Sequence, residues 1–159
     1  DILHLMNADR KFMLRAITLA QESAQNGDYA LGAVIVKNGE IIAEGTTNLK
    51  HEHDPTVHGE IVAIRNACNV LSARYLEGCV LYTTHEPCPM CASAAVWAKM
   101  EGIVFGAFAS DGADKETGNF SWRQMGIPCA YVLAKGTPTV DLIEGFLREE
   151  CLLLFDLSQ

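Results

Sequence analysis

The sequence predicts a three-layer α/β/α sandwich built on a mixed five-stranded sheet. Three observations carry that expectation. A two-residue Asn38-Gly39 loop joins two apolar runs, the strongest short-range signal of a hairpin. Beyond it, strand-like and helix-like periods alternate along the chain. The 159 residues, 49% of them hydrophobic, suffice for a single domain (1–159) with a core of ordinary size.

Taken in order, residues 9–25 place Phe12, Met13, Ala16, Ile17, Ala20 and Ala24 on one helical face, with Asn7 as candidate cap. Residues 33–36 and 40–44 are the strands flanking Asn38-Gly39. Helical period returns over 58–73 through Ile61, Ile64, Ala67, Cys68 and Leu71. Residues 79–84 read as a buried strand, and 89–100 as a short Ala-rich helix with Trp97 in the core. Residues 103–108 and 130–133 are read as the remaining strands. A final helix over 139–155 turns Ile143, Phe146, Leu147, Cys151 and Leu154 inward. Residues 110–128 show no period, and long irregular stretches in compact domains are often functional, so they form a candidate specificity segment.

Composition narrows the function classes. No apolar run approaches the ~18 residues of a membrane span. The first residues lack the basic start and long apolar stretch of a secretory signal. Of six cysteines, Cys88 and Cys91 stand in a metal-type spacing and Cys68, Cys79 and Cys151 fall in apolar segments, which fits a cytoplasmic protein better than a disulfide framework. The net charge of −8, with 12 basic residues scattered among 20 acidic ones, argues against a polynucleotide partner.

Two motifs carry the chemistry: His58-Gly59-Glu60 and Pro87-Cys88-Pro89-Met90-Cys91. Proline favours the first helical position, so Pro89 places Cys88 at a helix cap and Cys91 on the same side one turn later. The free amides and positive dipole at that end favour thiolates. Two thiolates and one imidazole leave the fourth zinc position open to water, as in catalytic sites. His58 and Glu60 are two apart and reach one pocket only where the chain enters its helix, and Asp54-Pro55 upstream supplies that entry. A fourth protein ligand from His53, His85 or Cys68 would instead make a structural zinc-binding interaction domain.

The pairing of H-x-E with P-C-x-x-C is the signature of zinc nucleobase deaminases, and over nearly its full length the sequence resembles the cytidine deaminase superfamily. The resemblance implies Zn2+ on His58, Cys88 and Cys91, which makes its water a nucleophile. It implies that Glu60 moves the proton to the ring nitrogen and then to departing ammonia, and that the Gly59 amide meets the substrate's ring carbonyl. It also implies a homodimer.

Within the superfamily, the run Gly32-Ala33-Val34-Ile35-Val36-Lys37-Asn38-Gly39, with Asp54-Pro55-Thr56, resembles bacterial guanine deaminases. His58-Gly59-Glu60 with Tyr82-Thr83-Thr84 is similar to fungal cytosine deaminase, and Glu149-Glu150-Cys151 to tRNA adenosine deaminases. The acidic balance and the absence of a basic tail favour a free nucleobase or nucleoside, guanine or a related aminopurine or triazine first and cytosine next. A tRNA-specific adenosine deaminase is the alternative. Relatives carry a base-contacting Asn where this chain has Thr47, followed by Asn48, so both are candidate substrate contacts. Asp114, near Asp111, and Trp122, near Phe120, are further candidates, for an acidic contact and for stacking on a planar base. His85 is a candidate pocket-lining residue, and His51 and His53 belong to a solvated loop.

Overall fold

The computed structural model describes residues 6–112 and 125–158. Its sheet has the order β2-β1-β3-β4-β5. Strands β1 (Gly32–Lys37) and β2 (Glu40–Thr46) form the predicted hairpin, with Lys37 opposite Glu40. Asn38 and Gly39 both take positive φ, 51° and 77°, the conformation a two-residue turn of this twist demands. Strand β3 (Cys79–His85) pairs antiparallel with β1 and parallel with β4 (Gly102–Ala107), and β4 pairs parallel with β5 (Asp141–Ile143). The sheet is therefore mixed, as expected.

Period-2 alternation along the strands divides the core into two layers. Ala33, Ile35, Leu81 and Phe105 join Ala63, Ile64 and Ala67 of α2 (Gly59–Leu71) and Ala92 and Ala95 of α3 (Pro89–Trp97). Val34, Val36, Tyr82 and Val104 face the other way, onto Phe12, Met13, Ala16 and Ala20 of α1 (Arg10–Gln25) and onto Cys151 of α5 (Arg148–Leu152). Helix α1 is capped by Asp9 rather than by Asn7: the Asp9 carboxyl accepts from the Lys11 amide at 3.0 Å.

Three expectations from periodicity are corrected. Residues 130–133 are not a strand but lie in α4 (Cys129–Ala134), because a short apolar run has no period long enough to separate the two and Pro128 starts a helix. The fifth strand is instead Asp141–Ile143, inside the stretch expected to be one helix over 139–155. That helix is broken by left-handed residues at Gly145 (φ 71°) and Leu147 (φ 54°), so α5 begins only at Arg148 and passes into a 3-10 turn, Leu153–Ser158. Trp97 is not core: it is 82% exposed. Helix α3 buries Ala92 and Ala95, and two residues past Ala95 is about 200° around the helix. Among the described residues no helix is long and apolar enough to cross a membrane.

Candidate active site

Two helix starts, from segments 30 residues apart, converge at the C-terminal end of β3. At the first, Asp54 accepts from the Thr56 amide (2.8 Å) and hydroxyl (2.6 Å), which folds the Asp-Pro-Thr turn against the entry to α2. His58 is then the extended cap residue (φ −66°, ψ 152°), and its carbonyl accepts the first helical hydrogen bond, from Val62. At the second, Cys88 caps α3 with the same extended backbone (φ −66°, ψ 168°), and Pro89 follows at the first helical position. Cys91 lies in the first turn and is fully buried.

The result is a near-equilateral triangle. His58 Nδ1 lies 3.6 Å from Cys88 Sγ and 3.6 Å from Cys91 Sγ, and the two sulfurs are 3.6 Å apart. A tetrahedral zinc ion with ordinary Zn–S and Zn–N bonds spaces its ligands by about 3.5–3.8 Å. The donor set therefore fits the ion and leaves the fourth vertex for a small molecule. Hydrogen bonding with Cys91, and then with His58, pushes the Cys88 thiol down to about 4 although burial opposes this, so thiolate is its natural form here. Glu60 sits in the first turn of α2, 2% exposed, two residues after the His58 cap.

Close approach of α2 to the sheet holds this geometry. A methyl group at Gly45 would overlap the Gly59 carbonyl oxygen and the Ala63 nitrogen, so β2 passes α2 with no room for a side chain. Gly59 itself is covered by Leu31, whose Cδ2 would lie 2.6 Å from a Cβ placed there.

The other predicted contacts separate. Thr47 is buried, and its hydroxyl donates to Asp28 Oδ1 at 2.8 Å. Thr47 and Asn48 line a cavity of ≈ 290 Å³ together with Asp28, His51 and Val62. Burial raises the Asp28 carboxyl, but hydrogen bonds from the Tyr29 amide, the Thr47 hydroxyl and the Lys50 amide outweigh it and hold the group below its usual range. A larger opening, ≈ 610 Å³, lies beside the start of α1 and the hairpin turn, and neither cavity is lined by His58, Glu60, Cys88 or Cys91. His85 packs its ring edge against Phe155, 4.6 Å between centroids, with Nδ1 2.7 Å from Thr84 Oγ1. Asp114 and Trp122 lie outside the described residues. Sequence reasoning missed Asp28 and Glu86, whose long-range partners Thr47, Ala109 and Cys129 are 19 to 43 residues away and leave no local pattern.

The comparisons with known proteins agree with this site. The family model of the cytidine and deoxycytidylate deaminase zinc-binding region matches residues 6–107, from the approach to α1 to the end of β4. The chain belongs to the cytidine deaminase superfamily. Within it, the chain is 49% identical over 104 residues to a guanine deaminase of Bacillus subtilis, a match covering 65% of this chain and 67% of that one. It is 43% identical over 146 residues to a tRNA-specific adenosine deaminase of Bacillus subtilis, covering 92% of this chain and 85% of that one. A solved structure from a study of A-to-I editing by tRNA:A34 deaminases superimposes with a TM-score of 0.76 at 28% identity. That superposition covers 92% of this chain and 99% of the other. Zinc is thus the metal of this deaminase, and the His58–Cys88–Cys91 triangle is the described group that fits it.

Proposed function

We propose that this superfamily member hydrolytically deaminates adenosine in an RNA stem-loop to inosine, acting as one deaminase domain. One observation carries the choice of substrate. Similarity to the tRNA-specific adenosine deaminase runs through 92% of the chain, whereas similarity to the guanine deaminase covers 65%. The expectation of a free nucleobase is therefore not favoured. It rested on the acidic balance and the absence of a basic tail, but net charge sums the whole surface, whereas phosphates respond to a local patch. Guanine remains the second reading, favoured by the higher identity over the shorter match.

In either case the residues divide the work in the same way. His58, Cys88 and Cys91 hold zinc, which when bound supplies a water acidic enough to attack at neutral pH. Glu60, buried in the first turn of α2, would carry one proton of the water to the ring nitrogen and then the second, from the new hydroxyl on the ring carbon, to the amino group that departs as ammonia. The Gly59 amide, at the start of α2, hydrogen-bonds the ring. Thr47, bound to Asp28, shapes the cavity that it lines with Asn48, and Asn48 is assigned as the polar substrate contact on that side.

The exposed face of Trp97 on α3 is the surface assigned to contact with a second copy of the chain. None of the six cysteines forms a disulfide, which supports a reducing, cytoplasmic setting. The deciding assay follows inosine in an anticodon hairpin bearing a wobble adenosine, beside ammonia from guanine. Inosine without ammonia supports the RNA reading. Ammonia from guanine with an untouched hairpin replaces it with the second.

A further inference from the structure

We propose that Glu86 is a positioning residue that ties the zinc-binding cysteine turn to the two chain segments flanking residues 113–124. Glu86 follows β3 directly and stands two residues before Cys88. It is buried, and each of its carboxyl oxygens accepts a backbone amide from a different segment. Oε1 accepts from Ala109 at 2.9 Å, and Oε2 accepts from Cys129 at 2.9 Å. Its own amide donates to the Ala107 carbonyl at 2.8 Å, so its backbone is fixed to the end of β4 as well.

Both acceptors meet a backbone amide that opens a helical turn. Cys129 opens α4, where the first amides have no helical partner, and the cap residue Pro128 makes no side-chain hydrogen bond to them. Glu86 supplies that bond from 43 residues away, with a charge of the sign a helix start favours. Ala109 opens the 3-10 turn Ala109–Gly112, whose Asp111 is paired with Arg148 of α5 at 2.6 Å. One carboxylate thus links the turn that carries Cys88 to α4 on one side and to the α5-anchored turn on the other. Both segments reach the Cys88 turn through this one carboxylate, so displacing either should alter substrate capture while the metal ligands stay in place.

The test uses the full-length zinc-loaded protein and Glu86→Gln. Hydrogen exchange at the Ala109 and Cys129 amides should rise about tenfold, the factor for losing one hydrogen bond of the charged kind. Exchange over residues 59–63 and the zinc content should stay unchanged. KM should rise by about tenfold with kcat within about threefold, on the hairpin or on guanine, whichever the wild type turns over. Ala109→Pro, which removes one donor and leaves the carboxylate, should raise KM in the same direction and serves if Glu86→Gln does not fold. Unchanged exchange at both amides overturns the proposal. So does faster exchange with unchanged KM, which would reduce Glu86 to a stabilising contact, and so does loss of zinc. The kinetic arm rests on the deaminase reading. If the wild type is silent on both substrates, that reading falls and the exchange arm alone decides the clamp.

Discussion

The Thr47 hydroxyl donates to Asp28 at 2.8 Å, joining the end of β2 to the turn that precedes β1. A residue expected to face the substrate therefore spends its one donor on the scaffold. Thr47→Val keeps the shape and leaves the buried Asp28 with one hydrogen bond fewer. It should destabilise the protein by about 1–3 kcal/mol and raise KM more than it lowers kcat, as read by thermal unfolding and steady-state kinetics. An unchanged melting temperature would mean that the bond contributes nothing to the wall.

Glu60→Gln should retain full zinc occupancy while the rate falls by about 10²–10⁴-fold, because an amide of the same size cannot carry the proton. Cys88→Ser and Cys91→Ser should instead lose the metal. Elemental analysis beside single-turnover kinetics separates the two classes. Activity surviving in Glu60→Gln would remove Glu60 from the proton transfer.

Leu31 and Gly59 should prove energetically coupled. Alanine is worth about 1 kcal/mol over glycine inside a helix, yet a methyl group at Gly59 meets Leu31 Cδ2 at 2.6 Å. Gly59→Ala alone should therefore gain little or lose stability, and Leu31→Ala alone should lose stability through the space it opens. The double variant should be more stable than the two single effects summed. Additivity within about 0.5 kcal/mol in a double-mutant cycle would show that Leu31 moves aside freely.

His85 makes the fold acid-sensitive. Burial pushes its imidazole from 6.5 down to about 3. With the folded value below the unfolded one, the unfolded chain takes up a proton that the folded chain refuses. Stability is thus unaffected above pH 6.5 and is lost progressively as pH falls from 6.5 toward 3. At pH 5 the loss should amount to about 2 kcal/mol. His85→Leu should flatten the fall in melting temperature between pH 7 and pH 5, even if it is less stable at pH 7 for want of the Thr84 contact. A parallel fall in both proteins would place the acid sensitivity elsewhere.

Trp97→Asp should halve the mass measured by light scattering if a second copy covers α3, since a charge would then be buried at the contact. A wild type that already runs as a monomer overturns the dimer.

The metal site was legible because its information is local. Pro55 and Pro89 each mark a helix start, and the start itself sets the directions of His58, Cys88 and Cys91. The hairpin was legible for the same reason, two residues of positive φ read directly as Asn38-Gly39. Strand β5 was hidden because three residues show no period, and α4 because Cys129–Ala134 is apolar throughout. Trp97 was misplaced because the side of α3 that meets the sheet is settled by Ala92 and Ala95, whose partners lie in other elements.

The antiparallel pairing of β1 with β3 sets Lys37 opposite Cys79, six residues from His85 at the other end of the same strand. At strand spacing that is about 20 Å between the Asn38-Gly39 tip and the zinc-binding end. The exposed tip is therefore the natural point of attachment for a dye, a tether to a surface or a fused partner, because a load carried there stands a whole sheet away from the reaction.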